Sequence, residues 1–231
     1  MADTTIKVSD GSFSAYVAAP KGATSAPGVL VIQEIFGVNE VMRSLCDGYA
    51  AQGYVAMCPD LFWRQEPGIQ ITDKTDAEWK RAFELFQGFD QDKGAQDLVA
   101  SLANLRKLPG CDGKVGSVGY CLGGKMAYFM ATRSDADCNV SYYGVGIQDV
   151  LGEAGKIKKP LLMHVASEDK FVPKEAQAKM KEGLAANGNV TIHVYEGCDH
   201  AFARVGGAHW NAAAAKLAND RTTAFFKKHL S

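Results

Sequence analysis

The fold of this chain is decided by ten residues, Val115-Gly116-Ser117-Val118-Gly119-Tyr120-Cys121-Leu122-Gly123-Gly124. A short apolar run leads into a glycine-rich turn, and a predicted helix follows. A tight turn of this kind forces its central residue into a strained backbone conformation, so the flanking residues must be small. The sequence therefore predicts that Cys121 is an exposed nucleophile at the positive end of a helix, where a thiolate is favoured.

Outward from this turn, short apolar runs alternate with amphipathic stretches, which is typical of strands joined by crossover helices. Strands are predicted at 29–32, 54–58, 115–118, 140–143, 161–165 and 190–195. Helices are predicted at 40–52, 93–107, 122–133, 174–186 and 211–229. The runs are continuous rather than alternating, so we expect a mostly parallel sheet with helices on both faces. The segment up to Val17 alternates, which predicts an antiparallel hairpin at the sheet edge.

Length and composition limit the classes of protein to consider. The 231 residues fit one domain spanning 1–231. The 25 basic and 26 acidic residues leave a net charge of −1, so no long-range field attracts nucleic acid or a membrane surface. Without a signal peptide or a bilayer-spanning run, a cytoplasmic protein is expected. Six scattered cysteines without paired CxxC spacing argue against disulfides and a metal site. The expected partner is a small molecule.

Two later loops supply the partners that a cysteine nucleophile needs. Asp169 and His200 each follow a predicted strand, and the order nucleophile, acid, base is that of the α/β-hydrolase fold. His200 would exchange protons with the thiol and the leaving oxygen, while Asp169 would hold the imidazole in the required tautomer. Two neighbouring carboxylates compete for the acid role. Glu168 should point elsewhere on its loop and Asp199 directly precedes the histidine, so Asp169 is preferred.

The oxyanion of a tetrahedral intermediate needs two backbone N–H donors, one after the nucleophile and one after an earlier strand. Leu122 and Ile35 occupy those positions. Glu34 places a carboxylate at the end of a core strand, where burial is costly without a partner. Glu34 is therefore predicted to be functional. The alternative is a solvated carboxylate that caps the next helix.

Residues 61–92 depart from the alternation of strands and helices. This region has no strand signal, residues 76–87 are compatible with a helix, and several aromatic side chains are interspersed with charge: Trp63, Trp79, Phe83, Phe86 and Phe89. The region is either a surface excursion whose aromatic residues pack on the domain or a wall of a substrate pocket. The two interpretations are compatible.

The motifs around these residues make the chain resemble the dienelactone hydrolase (carboxymethylenebutenolidase) family nearly from end to end. They are Gln33-Glu34-Ile35-Phe36-Gly37-Val38-Asn39, Cys58-Pro59-Asp60-Leu61, Gly119-Tyr120-Cys121-Leu122-Gly123-Gly124, Tyr142-Tyr143-Gly144-Val145-Gly146, Asp169 with Phe171-Val172-Pro173, and His200-Ala201-Phe202-Ala203-Arg204. The resemblance implies a monomeric α/β-hydrolase with a Cys-His-Asp triad and no cofactor. It also implies a role in degrading aromatic compounds through lactones, and a contact of Glu34 with the resting thiol.

Family substrates carry a carboxylate, and the resemblance implies substrate-binding positions at Arg204, Arg81, Trp79, Phe83 and Tyr142. Arg204 matches one arginine that binds the carboxylate. The second family arginine is replaced by Trp79, with Arg81 two residues later, and Phe83 stands in place of a tyrosine. Either Arg81 reaches the substrate from a shifted helix, or the substrate is a less polar lactone or a simple ester.

Two other functions use the same features. A carboxylesterase or thioesterase of different acyl preference would share the catalytic residues. The other is a non-hydrolytic use of the same fold, as a thiol redox sensor or a catalytically silent binding protein. A sensor would need a resolving cysteine, and Cys198 lies two residues before His200. The complete triad favours the hydrolase.

Overall fold

The computed structural model describes residues 3–22 and 24–231. Its strands are β1 Thr4–Val8, β2 Gly11–Ala18, β3 Ala26–Ile32, β4 Val55–Pro59, β5 Cys111–Tyr120, β6 Cys138–Tyr142, β7 Leu161–Ala166 and β8 Val190–Tyr195. Its α-helices are α1 Glu40–Ala51, α2 Asp76–Gln87, α3 Gln91–Leu105, α4 Leu122–Arg133, α5 Lys174–Leu184 and α6 Ala212–Leu230. Short 3₁₀ helices span Ile147–Asp149 and Leu151–Lys156.

The chain divides into two compact units, Met1–Val115 and Gly116–Ser231, and the division falls inside β5. In the first unit β1 and β2 form an antiparallel hairpin, β2 pairs antiparallel with β4, and β4 pairs parallel with β3. In the second unit β5, β6, β7 and β8 follow one another in parallel. The eight strands make a mixed, mostly parallel sheet. Both the predicted α/β fold class and the predicted edge hairpin are confirmed.

Most helices begin at a side chain that accepts a backbone N–H of the first turn, as short polar residues at an N-cap do. These capping residues are Asn39 for α1, Thr75 for α2, Asp90 for α3 and Asn211 for α6. Helix α4 differs, because within the described chain no side chain caps it and Cys121 occupies the cap position. Without a side-chain cap, the N–H groups that open this helix are available to other acceptors, apart from that of Gly124, which donates to the carbonyl of Cys121.

The boundaries of several elements differ from prediction for local reasons. Helix α3 begins two residues early because Asp90 accepts the N–H groups of Asp92 and Lys93. Strand β5 spans Cys111–Tyr120, and the predicted run at 115–118 covers only part of it because the first four residues of the strand alternate in exposure and only the later part is continuously buried. Strand β6 ends one residue early because Tyr143 turns into the left-handed region with φ 38°.

The first part of the 61–92 excursion packs on its own unit. The Trp63 ring stacks on Phe13 at 5.6 Å, and its indole N–H donates to Asp97 at 2.9 Å. Arg64 bonds both Asp97, which is fully buried, and Asp10 on the β1–β2 turn. The prediction that these aromatic residues pack on the domain is confirmed for Trp63.

Across the described ranges, no helix has both the length and the apolar character needed to cross a bilayer.

Candidate active site

Cys121 lies in a strained turn between β5 and α4. Its backbone has φ 57° and ψ −113°, outside the regions that residues other than glycine ordinarily adopt. A Cβ atom at Gly119 would lie 1.8 Å from the carbonyl oxygen of Gly123, and one at Gly124 would lie 2.5 Å from that of Tyr142. The structure therefore forms the tight turn that the glycines predict.

Hydrogen bonds fix the peptide groups on both sides of the cysteine. The N–H of Cys121 donates to the carbonyl of Tyr142 at 3.1 Å, and the carbonyl of Cys121 accepts from Gly124 at 3.0 Å. Leu122 is the first residue of α4. The N-terminus of a helix combines available N–H groups with partial positive charge, which stabilises a thiolate or a developing oxyanion.

Asp169 and His200 are hydrogen-bonded to each other. The Oδ2 atom of Asp169 lies 2.8 Å from Nδ1 of His200, and both residues are buried. The other oxygen of Asp169 accepts the N–H groups of Phe171 at 2.9 Å and Val172 at 3.2 Å. An ionised carboxylate only accepts hydrogen bonds, so Nδ1 carries a proton and Nε2 is left for a second partner.

The two carboxylates that competed with Asp169 in the sequence have other partners. Glu168 is exposed and bonds Lys174 at 2.7 Å. Asp199 accepts the backbone N–H of His200 at 2.7 Å and pairs with Lys170 at 3.3 Å. Neither is bonded to the His200 ring, so the arrangement favours Asp169 as the acid.

The charge state of His200 is set by opposing effects. Burial opposes protonation of the ring, but the negative charge of Cys121, the hydrogen bonds to Asp169 and Cys121, and the charge of Asp169 outweigh it. Together they raise the pKa of His200 to about 10. His200 is thus cationic at neutral pH when the cysteine is a thiolate.

Two aromatic rings flank His200, a feature to which the sequence assigned no role. Phe171 meets the imidazole edge to face at a centroid distance of 4.8 Å, and Tyr143 does so at 5.2 Å. Tyr143 and Ala201 both have positive φ, 38° and 60°, which costs energy for residues with side chains. Tyr143 directly follows β6 and Ala201 directly follows His200. Each lies inside one of the motifs quoted in the sequence analysis, Tyr142–Gly146 and His200–Arg204.

The loop after β3 carries Glu34 and Ile35, both buried. The side chain of Gln33 holds this loop by accepting the N–H of Leu61 at 3.0 Å. The backbone of Ile69 packs closely against Gly37, because a Cβ atom added there would lie 1.9 Å from the Ile69 carbonyl oxygen. Glu34 is only 4% exposed, and the cap of the next helix is Asn39. The interpretation of Glu34 as a solvated helix cap is therefore wrong.

The predicted substrate-binding residues on α2 belong to two different environments. Trp79 stacks on Phe83 at 5.6 Å and meets Phe36, next to Ile35, edge to face at 5.1 Å. Arg81 is 40% exposed and is held by Glu66 at 2.6 Å and Glu84 at 2.9 Å. Trp79 thus lies in an apolar cluster, whereas the guanidinium of Arg81 is paired with two carboxylates of the protein. This pairing does not support a substrate contact of Arg81.

Tyr142 and Arg204 also differ from each other in placement. The Tyr142 side chain is fully buried, and its hydroxyl bonds Asn219 at 2.9 Å and Thr222 at 2.7 Å, both on α6. The expected substrate contact of Tyr142 is not supported by this position. Arg204 is half-buried on the loop after His200, where its backbone N–H donates to the carbonyl of Ala201 at 2.9 Å.

All six cysteines are free thiols. Cys198 is buried, and burial raises its pKa, so it forms a reactive thiolate less readily than an exposed cysteine. This environment does not favour the redox-sensor interpretation. Within the described part of the chain, the His, Cys, Asp and Glu side chains form no group of three or more that could hold a metal ion.

A strained turn between strand and helix with Cys121 at its centre, followed in the chain by a hydrogen-bonded aspartate and histidine, is the arrangement of an α/β-hydrolase. The model of the "Dienelactone hydrolase family" matches residues 13–230. The chain belongs to that family of carboxylic ester hydrolases.

Similar proteins agree with this assignment. The chain is 59% identical over 224 residues to the "Putative carboxymethylenebutenolidase" of Azospirillum brasilense, and the matched region covers 96% of this chain and 95% of that protein. It is 41% identical over 214 residues to the carboxymethylenebutenolidase of Pseudomonas putida, covering 93% and 90%. The crystal structure of a "Putative Dienelactone Hydrolase" from Klebsiella pneumoniae subsp. pneumoniae MGH 78578 superposes with a TM-score of 0.87 at 29% identity, covering 98% of both chains.

Proposed function

We propose that this protein is a cysteine-dependent hydrolase that opens small lactones, as the name carboxymethylenebutenolidase describes for its relatives. The observation that carries the proposal is the hydrogen-bonded Asp169–His200 pair, whose histidine also interacts with Cys121 in its strained turn. The high pKa of His200 supports an imidazolium that is ready to donate a proton. The proposal therefore assigns the nucleophile to Cys121 and the proton transfers to His200.

In the first half of the reaction, Sγ of Cys121 attacks the lactone carbonyl carbon and a tetrahedral oxyanion forms. The intermediate collapses, the ring C–O bond breaks, and the leaving oxygen takes the proton from Nε2 of His200. The product is a thioester of the ring-opened acid. Asp169 keeps Nδ1 protonated, so that Nε2 is the nitrogen that acts.

In the second half, His200 takes a proton from a water molecule, and the hydroxide attacks the thioester carbonyl. The C–S bond then breaks, the thiolate of Cys121 leaves, and the ring-opened carboxylic acid is released. Because enol and other activated esters have good leaving oxygens, a thiol suits them better than amides. Peptides are therefore not expected to be substrates.

We assign the oxyanion to the N–H groups of Leu122 and Ile35, and we assign Glu34 to control of the resting thiol. The uncapped first turn of α4 supports the Leu122 donor. The burial of Glu34 supports a functional carboxylate, since a carboxylate is not buried without compensation. A carboxylate near a thiol disfavours the thiolate, so Glu34 would limit stray oxidation of Cys121 until substrate arrives.

A second candidate substrate class is an uncharged lactone or ester. The pairing of Arg81 with Glu66 and Glu84, and the apolar cluster around Trp79, favour it over a carboxylate-bearing substrate. Arg204 is the remaining candidate for binding a substrate carboxylate. The two substrate classes share one catalytic mechanism and differ in the recognition of the acid group.

The test is hydrolysis of cis- and trans-dienelactone beside neutral p-nitrophenyl acetate, by the wild type and by Cys121→Ala. Loss of all hydrolysis in Cys121→Ala, with Cys111→Ala as a matched cysteine control that stays active, supports the nucleophile. Preference for the lactones supports recognition by Arg204, whereas cleavage of the neutral ester alone supports the second class. Full activity in Cys121→Ala would overturn the proposal.

A further inference from the structure

A chain of hydrogen bonds in the second unit links side chains of β6, β7 and β8 to side chains of α6. Its five contacts are Arg221 Nη1 to Tyr195 Oη at 3.1 Å, Tyr195 Oη to His164 Nδ1 at 2.8 Å, His164 Nε2 to Thr222 Oγ1 at 2.9 Å, Thr222 Oγ1 to Tyr142 Oη at 2.7 Å, and Tyr142 Oη to Asn219 Oδ1 at 2.9 Å. The chain thus begins at a guanidinium and ends at an amide oxygen, both on α6.

The middle of this chain is deeply buried, with His164 and Tyr142 at 0% exposure and Thr222 at 2%. Burial, with smaller contributions from His193 and Arg221, lowers the pKa of His164 to about 3. The ring is therefore neutral, with one N–H donor and one accepting nitrogen. Two arrangements of that proton are available, and the neighbours decide between them.

The two ends of the chain fix its direction. A guanidinium only donates, so Tyr195 accepts from Arg221 and directs its own hydroxyl proton to Nδ1 of His164. His164 then carries its proton on Nε2 and donates to Thr222. At the other end Tyr142 donates to the carbonyl oxygen of Asn219, so the Thr222 hydroxyl donates to Tyr142. Every donor in this arrangement has an acceptor.

The opposite tautomer fails at two places. With the proton on Nδ1, His164 would donate to Tyr195, and the hydroxyl proton of Tyr195 would have no acceptor among the described residues. Thr222 would have to donate to Nε2, so the single hydroxyl proton of Tyr142 could serve only one of its two contacts, with Thr222 at 2.7 Å or with the amide oxygen of Asn219 at 2.9 Å. Unsatisfied buried groups of this kind are strongly disfavoured.

Tyr142, which precedes Asn219 in this hydrogen-bonded chain, supports the turn that carries Cys121 directly. The carbonyl of Tyr142 accepts the N–H of Cys121 at 3.1 Å, and the ring of Tyr142 stacks on Tyr120 at 4.8 Å. The same carbonyl is the group against which the turn closes at Gly124. A shift of the Tyr142 backbone would therefore also move the backbone of Cys121.

The other end of the chain supports the loops that carry the acid and the histidine. The carbonyl of Tyr195 accepts the N–H of Ser167 at 3.0 Å and that of Cys198 at 3.3 Å, each two residues before a triad member. The carbonyl of His164 accepts the N–H of Tyr143 at 2.8 Å. The residues of this hydrogen-bonded chain thus bond the backbone at or near Cys121, Asp169 and His200.

We propose that this chain holds the triad in register, that His164 is fixed as the Nε2–H tautomer, and that Thr222 is the positioning residue that joins its two halves. Thr222 reaches neither substrate nor the reacting atoms and acts through Tyr142 and His164. The inference rests on the proposed function only where activity is the readout. The tautomer of His164 is independent of it.

The experiment compares the wild type with Thr222→Val, which keeps the shape but removes the hydroxyl, and Thr222→Ser, which restores it. Phe226→Leu is the matched control, since Phe226 is another buried residue on α6 outside the hydrogen-bonded chain. The readouts are the ¹⁵N NMR signals of His164, the rate of Cys121 alkylation by iodoacetamide, and kcat and KM for p-nitrophenyl acetate.

The wild type should show a protonated Nε2 and an unprotonated Nδ1 in His164. Thr222→Val should lower kcat by about tenfold to a hundredfold, as expected for a misplaced catalytic group, with KM changed little. Its alkylation rate should also change, and Thr222→Ser should recover both. A proton on Nδ1 of His164 in the wild type, or equal losses in Thr222→Val and Phe226→Leu, would overturn the inference. An inactive wild type with the expected NMR signals would count against the proposed function alone.

Discussion

Asp169 and His200 are joined by a 2.8 Å hydrogen bond between Oδ2 and Nδ1, and the carboxylate cannot turn away from it. Its second oxygen is held by the N–H groups of Phe171 and Val172. A carboxylate fixed in this way determines which imidazole nitrogen carries the resting proton. The other nitrogen is then free to serve the thiol.

Asp169→Asn should lower kcat/KM for p-nitrophenyl acetate by about a thousandfold or more, because the amide no longer selects the tautomer or stabilises the imidazolium. The matched control is Glu168→Gln, which changes the adjacent, exposed carboxylate and should keep activity within about twofold of the wild type, as for most surface substitutions. A comparable loss in both variants would contradict the assignment.

Cys121→Ala should lower the pKa of His200 well below about 10. Burial opposes the charged ring in both proteins, whereas the alanine removes the negative charge and one of the two hydrogen bonds that outweigh burial. An NMR titration of the His200 ring measures the shift. The control Cys111→Ala should leave the titration unchanged, and a midpoint near 10 in Cys121→Ala would show that the cysteine has no such influence.

His164 should make the protein less stable in acid. Burial lowers its pKa from 6.5 to about 3, so between these values the unfolded chain binds a proton that the folded chain does not. The free energy of unfolding therefore falls as the pH falls through this interval. Urea unfolding of wild type and His164→Asn at several pH values isolates this contribution, since the variant lacks it. Parallel pH dependence in the two proteins would be the contrary result.

Glu34→Gln should change the rate and the pH profile of Cys121 alkylation by iodoacetamide. Removing the negative charge removes a group that disfavours the thiolate, so alkylation near neutral pH should become faster. Glu40→Gln, an exposed substitution at the start of α1, is the control. An unchanged rate and profile would remove Glu34 from the mechanism.

Trp79→Arg should shift preference toward carboxylate-bearing lactones. The substitution supplies the arginine that the family resemblance implies at this position, and a charge-assisted hydrogen bond to a carboxylate is worth about tenfold or more in kcat/KM. The ratio of dienelactone to p-nitrophenyl acetate hydrolysis is the measurement. Trp79→Leu removes the same ring without adding charge, and an equal ratio in both variants would argue against this site as the determinant.

Local patterns in the sequence were enough for most of the fold. The helix predicted at 122–133 has these boundaries in the structure, and residues 76–87, which are compatible with a helix in the sequence, form one, because apolar spacing and turn residues act over a few positions. The chain order of Cys121, Asp169 and His200 was likewise visible. The sequence favours Asp169 over Glu168 only by their expected orientation on the loop, whereas the structure distinguishes them by their partners. Asp169 bonds His200 and Glu168 bonds Lys174.

What the sequence could not predict depends on partners far apart in the chain. The sequence makes Arg81 a candidate for binding the substrate, but in the structure its side chain pairs with Glu66, fifteen residues earlier. Tyr142 bonds Asn219, which is 77 residues away, and no local pattern indicates that contact. Burial of the Tyr142 hydroxyl then decides its role, and burial is a property of the assembled sheet and helix.

The contacts of α6 also bear on the order in which the protein is made. Asn219, Thr222 and Arg221 come after every strand of the sheet in the chain, so a growing polypeptide exposes the nucleophile turn before the helix that supports it exists. Domains tend to complete folding only when their last packed element has emerged from the ribosome. The turn that carries Cys121 would therefore reach its supported position only after α6, the last element of the chain, has been made.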